Sequence, residues 1–288
     1  MKTIIVPIDF SNESLYGLNM ALMLAKKTGA DVQMIHVISK NVDNNDLLQK
    51  ENQLAKSKFE DILQKCKEGG NVNCSLKYTI KEGKVLSEIT VLANKFEDSL
   101  IVLSTYSESG FEEPFIGGNA YKIASHSKTP VITVRNNSLT SNIDKIVLPL
   151  DITLQTREKV PYTVKLAKLF NSEIYLITVT GSHLKNFENK LYKYTEQVCS
   201  YLWDHDIIFK VEHLHGGNLT DLILDYTESV NASLISIMNE QEKSVSNILL
   251  GSYAHQMINK ARIPVLSFPT YQLKTIEENI WTSGAFNA

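Results

Sequence analysis

The chain has 288 residues, enough for one large domain or two ordinary ones, and its 43% hydrophobic and 21% charged residues place it among globular proteins, which excludes disorder, collagen and a disulfide scaffold. Net charge is −3, with 16 basic and 16 acidic residues up to residue 138 and 13 basic and 16 acidic after it; neither part holds the Lys/Arg excess that neutralising phosphates requires, so nucleic acid is not an expected partner. No apolar run reaches the roughly 18 residues of a membrane span and the first apolar stretch meets no cleavage site, so the expectation is no membrane partner and a cytoplasmic location.

In chain order, the first apolar run, Ile4 to Ile8, is rich in β-branched residues and reads as a strand buried on both faces. Leu15, Leu18, Leu22 and Ala25 then recur at helical spacing, capped in front by Ser11 or Asn12 and closed by Gly29. Val32 to Ile38 is a second strand, Asn45 to Lys67 a long charged helix with a solvated outer face, and Leu76 to Ile80 a third strand. Val85 to Lys95 is a helix, Leu100 to Leu103 a strand, Gly118 to Ser127 a helix, and Val131 to Val134 the last strand. Strict alternation of this kind implies a parallel α/β sheet with helices on both faces.

The pattern then starts again. Pro7 and Asp9 return as Pro149 and Asp151, Ala25 as Ala167 and Val37 as Val179, all 142 apart. Further on, Gly83 matches Gly217, Ile101 Ile235, Gly117 Gly251 and Pro130 Pro264, all 134 apart, so the first copy carries eight extra residues between about 39 and 82. A repeat of this length is a domain rather than a solenoid unit. The polar stretch Asn136 to Asn142 is the natural linker, giving domains 1–138 and 143–288, the second with a tail from Tyr271 whose Trp281 and Phe286 are expected to dock on a surface.

The two copies together resemble the universal stress protein family in a tandem two-domain form. The resemblance rests on an opening strand ending in Pro-x-Asp, the Gly83 or Gly217 turn, the Gly117-Gly118 or Gly251-Ser252 start of the last helix, and the closing Pro-Val strand. It implies two doubly wound five-stranded parallel sheets of order 3-2-1-4-5, similar to the adenine nucleotide alpha hydrolase fold, and an ATP site with a G-x2-G-x9-G-[ST] motif. It also implies pairing of the last strands, here within one chain as an intrachain pseudo-dimer, or between chains as a homodimer. These last strands are edges that must be paired or covered.

With that strand order, ligands favour the crevice at the carboxyl ends of strands 1 and 4, and a helix start suits phosphate there. The candidate contacts are Asp9, Val37, Ser104, Ser107, Gly117, Gly118 and Asn119 in the first copy and Asp151, Gly251 and Ser252 in the second. Against the family motif, the first copy reads Ser104, Ser107, Gly117, Gly118 and the second Met238, Gln241, Gly251, Ser252. Met238 and Gln241 obstruct backbone approach, and Glu108, Glu112 and Glu113 put three carboxylates before a triphosphate unless Mg²⁺ mediates. The sites therefore read as degenerate, for ATP or another adenine nucleotide with Mg²⁺ entering only alongside it.

No nucleophile elbow, His-Glu-x-x-His or P-loop lysine is present, so no catalytic residue is assigned. His213 and His215 form a His-x-His pair without a visible third ligand, and Cys66, Cys74 and Cys199 contain no Cys-x-x-Cys, so no metal site is assigned either. His36, near the end of the second strand, reads as a buried, hydrogen-bonded residue. The function expected is a stress-response regulatory or binding protein, a scaffold for unknown protein partners or a sensor of a small ligand. The alternative is an ATP-binding protein with slow Mg²⁺-dependent ATPase or phosphotransfer activity.

Overall fold

The computed structural model describes residues 1–39, 45–69, 74–105, 118–135, 142–180, 185–239 and 253–269. Ser107, Gly117, Gly251, Ser252 and the tail lie outside these residues, as does most of the linker. The chain divides into two compact units, Met1–Leu139 and Thr140–Ala288.

Unit 1 runs β1 (Thr3–Pro7), α1 (Asn12–Thr28), β2 (Asp31–Ile38), α2 (Asn45–Glu68), β3 (Leu76–Glu82), α3 (Val85–Ala93), β4 (Ser99–Ser104), α4 (Gly118–His126) and β5 (Val131–Val134). Its sheet has the order β3-β2-β1-β4-β5. All of its described strand pairs are parallel, with Thr3 level with Asp31 on one side and Ser99 on the other. The first four residues of β1 and the first five of β4 are buried, because helices cover both faces. Apolar runs without alternation are what such a position selects. Ser11 caps α1, its hydroxyl accepting from Ser14 N–H at 3.1 Å, and the helix closes at Gly29 (φ 70°), whose N–H returns to the Ala25 carbonyl.

Unit 2 repeats the order with β6 (Lys145–Leu150), α5 (Val160–Phe170), β7 (Glu173–Thr180), α6 (Lys185–Asp204), β8 (Phe209–His215), α7 (Leu219–Ser229), β9 (Leu234–Asn239), α8 (Tyr253–Lys260) and β10 (Val265–Pro269). Its sheet reads β8-β7-β6-β9-β10, again parallel, so both units are doubly wound in the 3-2-1-4-5 order. Among the described residues no helix is long and apolar enough to cross a membrane.

Two features depart from the sequence reading. Gly83 corresponds to Gly216 rather than Gly217: each follows its strand directly, with φ of 153° and 156°. At these φ values an L side chain is strained, so both turns favour glycine; a Cβ would also approach the movable side-chain ends Glu88 Oε1 at 2.9 Å from Gly83 and Leu222 Cδ1 at 3.1 Å from Gly216. The excess between the second and third strands is therefore nine residues, 37 against 28, and Gly217 returns one of them before α7. Secondly, unit 2 has no single helix in the place of α1. A 3-10 turn, Leu154–Arg157, comes first, and α5 starts only at Val160. Pro161, at the place of Asn19, has no N–H to continue a helix through this point and is accepted only in a first turn.

Candidate functional site

In unit 1 the chain leaves β1 toward β2 and leaves β4 toward β5, which opens a crevice between the carboxyl ends of β1 and β4. Asp9 stands just past β1. One of its carboxylate oxygens accepts from Ser11 N–H at 2.9 Å and from the Ser11 hydroxyl at 2.5 Å, a local turn that aims the side chain before α1 begins. Partial burial pushes the Asp9 carboxyl up. The hydrogen bonds from Ser11, with Ser14 and its own amide behind them, outweigh this and hold it below the usual carboxylate range. Asp9 is thus an exposed, fully ionised acceptor at neutral pH.

The next residue, Phe10, has φ 66°, a left-handed conformation that costs a non-glycine residue about 1 kcal/mol or more. The packing it reaches offsets this: its ring lies 4.6 Å from His36 and 5.0 Å from Phe59, with Lys58 Nζ 5.0 Å from its centroid, and Phe59 stacks on Tyr78 at 4.5 Å. His36 donates from Nδ1 to the Ile8 carbonyl at 2.7 Å, which fixes its ring. Val37, half-buried one residue later, points to the opposite sheet face. Ser104 ends β4 and is half-buried; α1 crosses so near it that a Cβ on Gly17 would lie 3.4 Å from Ser104 N. Gly118 and Asn119 are the first two residues of α4. The described part of the first candidate set is therefore Asp9 and Ser104 flanking the crevice, Val37 at the end of β2, and the start of α4.

Unit 2 keeps the turn and changes its surroundings. Asp151 accepts from Thr153 N–H at 2.7 Å and from the Thr153 hydroxyl at 2.5 Å, as Asp9 does from Ser11. The 3-10 turn packs against β6 and β9, at the corresponding crevice. Lys159 takes the place of Gly17 and is 2% exposed. Its Nζ donates to the Thr156 carbonyl at 2.6 Å, the group left at the break between the 3-10 turn and α5, while the Thr156 hydroxyl accepts from Asp151 N–H at 3.0 Å. Burial pushes the Lys159 ammonium down to about 8 against the upward pull of Asp151 and Glu158. Arg157 lies 4.0 Å from the Tyr194 ring centroid and donates to Gln197. Met238, in the place of Ser104, is buried.

Sequence reasoning did not single out Phe10, Phe59 or Lys159. A lysine standing where the first copy has glycine in the helix below the crevice, followed two residues later by Pro161, is the signal that could have found the last of these. His213 and His215 are both exposed on β8, and His213 Nδ1 is 2.6 Å from the Thr178 hydroxyl. Among the described residues no group of three His, Cys, Asp or Glu is arranged to hold a metal ion.

The model of the universal stress protein family matches residues 1–135 and, a second time, residues 142–269. A universal stress protein of Methanocaldococcus jannaschii is 26% identical over 139 residues, covering 46% of this chain and 82% of that protein. Among solved structures, a universal stress protein from Archaeoglobus fulgidus is similar with a TM-score of 0.75 and 19% identity, covering 93% of this chain and 96% of its own. A functionally unknown protein from Pseudomonas aeruginosa is similar with a TM-score of 0.67 and 14% identity, covering 93% and 92%. At these identities the structural likenesses speak for the fold alone.

Proposed function

The chain belongs to the universal stress protein family, and from that premise we propose that it is a regulatory binding protein in which unit 1 takes a small ligand of the adenine nucleotide class and unit 2 is a degenerate copy. The observation that carries this reading is the contrast between the two crevices. Unit 1 offers an ionised Asp9, a small Ser104 and Gly17 beneath them. Unit 2 sets a buried lysine, a buried methionine and a 3-10 turn at the equivalent positions. An exposed carboxylate suits a ribose hydroxyl pair or a Mg²⁺ ion accompanying phosphates, and the start of α4 suits an anion. The described residues thus fit the sugar end of a nucleotide. For the phosphate end they supply Ser104 and the opening of α4.

Calorimetric titration with ATP, ADP and AMP, with and without Mg²⁺, tests this, after the preparation has been checked for co-purified nucleotide. Binding below about 100 μM, roughly −5.5 kcal/mol, weakened at least about tenfold by Asp9→Ala and unchanged by Asp151→Ala, is the expected result. A tenfold loss corresponds to about 1.4 kcal/mol, the scale of one charge-assisted hydrogen bond. The three carboxylates Glu108, Glu112 and Glu113, which follow β4 in the sequence, favour a second reading, a scaffold that holds protein partners and no nucleotide. Absence of binding for all three nucleotides would overturn the first reading and direct the search to protein partners.

A further inference from the structure

Two of the three cysteines flank the connection between α2 and β3 of unit 1. The fixed point is the Phe59–Tyr78 stack, with rings 4.5 Å apart and 12° from parallel, where α2 packs on β3. Along α2, Ala55, Phe59, Ile62 and Cys66 fall on one face: the first two are buried, the last two half-buried, and Glu60, Asp61, Gln64 and Lys65 between them are exposed. On β3, Leu76 and Tyr78 are half-buried and Lys77 between them is exposed, and Cys74, also half-buried, lies two residues before the strand begins. Cys66 is seven residues beyond Phe59, about 10 Å along a helix. Cys74 is four residues before Tyr78 and two before the first residue of β3.

In a β-α-β crossover the helix runs antiparallel to the strands, so both steps lead toward the same end of the layer. Their electrostatics agree with this placement. Burial pushes the Cys66 thiol up and the neighbouring Cys74 adds to the rise; burial and Asp31 push Cys74 up. Both are free thiols.

We propose that Cys66 and Cys74 form a reversible disulfide that fastens the end of α2 to the start of β3 in the presence of a hydroperoxide. One thiolate attacks the peroxide oxygen, displaces water or an alcohol and becomes a sulfenic acid; the second attacks that sulfur and releases water. With hydrogen peroxide, two thiols and one peroxide give one disulfide and two waters. A dithiol reverses the step, becoming the disulfide itself. Because burial keeps both thiols protonated at neutral pH, the reaction is slow there and accelerates as pH rises. The pair does not depend on ligand binding, so it stands apart from the proposed nucleotide site.

The test uses the full chain, treated with hydrogen peroxide, unfolded, alkylated, and analysed by intact mass and non-reducing peptide mapping. Wild type and Cys199→Ser are expected to lose two alkylatable thiols, to yield a Cys66–Cys74 linked peptide that dithiothreitol removes, and to react more than about tenfold faster at about pH 8.5 than at about pH 7. Cys66→Ser and Cys74→Ser are expected to form no internal link, and the oxidised wild type to melt a few degrees higher than the reduced one. Recovery of sulfinic acids at both positions without a link would overturn the proposal, as would a link formed only in guanidinium-unfolded protein.

Discussion

At Lys159 the cost of carrying a charge into the interior becomes measurable. Its ammonium titrates near 8 in the folded unit, against an ordinary value of 10.5. Between those two values the unfolded chain binds more protons than the folded one, so stability rises with pH across that window and the penalty is fully present below about 8. The span corresponds to on the order of 3 kcal/mol. Lys159→Met also removes the donor to the Thr156 carbonyl, so its net effect at pH 7 mixes two contributions; the slope does not. Denaturant unfolding at several pH values should show wild type gaining stability relative to Lys159→Met from about pH 8 to about pH 10. Parallel curves would mean that the amine titrates in the folded protein as it does in the unfolded chain, solvated rather than buried. None of this was legible in the sequence, where a lysine near a helix start reads as a solvated residue and only its pairing with Gly17 and the nearby Pro161 hinted otherwise.

The first helix of each unit tests how backbone geometry and side-chain volume are matched. Gly17 lies inside α1, where glycine costs about 0.5–1 kcal/mol relative to alanine. Its added Cβ would meet Ser104 and Leu103 backbone atoms at 3.4–3.5 Å, ordinary van der Waals contact. Gly17→Ala should therefore stabilise unit 1 by about 0.5–1 kcal/mol, whereas Gly17→Leu should destabilise it by about 1–3 kcal/mol through overpacking against β4. Equal denaturation midpoints for both variants would show that α1 is not held close to β4. Most elements were legible because their signals are local: Ser11 and Gly29 bracket α1, and uninterrupted β-branched runs mark β1, β2, β4 and β5. What failed was counting across a loop. Gly216 and Gly217 are adjacent glycines, and only strand pairing and backbone φ distinguish which one matches Gly83. The sites were legible only as positions: Asp9 and Ser104 flank the expected crevice, but Phe10 reaches Phe59 across 49 residues of sequence by a left-handed turn that no pattern announces.

For the whole chain, divergence of the units makes stoichiometry informative. If unit 1 alone is open to a ligand, titration should saturate at about one nucleotide per 288-residue chain. Two equal sites would show that Lys159 and Met238 leave room in unit 2, and the contrast between the crevices would then carry no functional meaning. The turns at Asp9 and Asp151 bear on this in another way. Each carboxylate is bound by the backbone and hydroxyl of the residue two positions on, so the aspartate is needed to close its own bend whether or not anything binds. Folding alone is enough reason to retain it. A count of binding sites keyed to Pro-x-Asp would score this chain twice; under the proposed reading the telling positions are instead Lys159 and Met238, whose bulk stands where unit 1 leaves the room of Gly17 and Ser104.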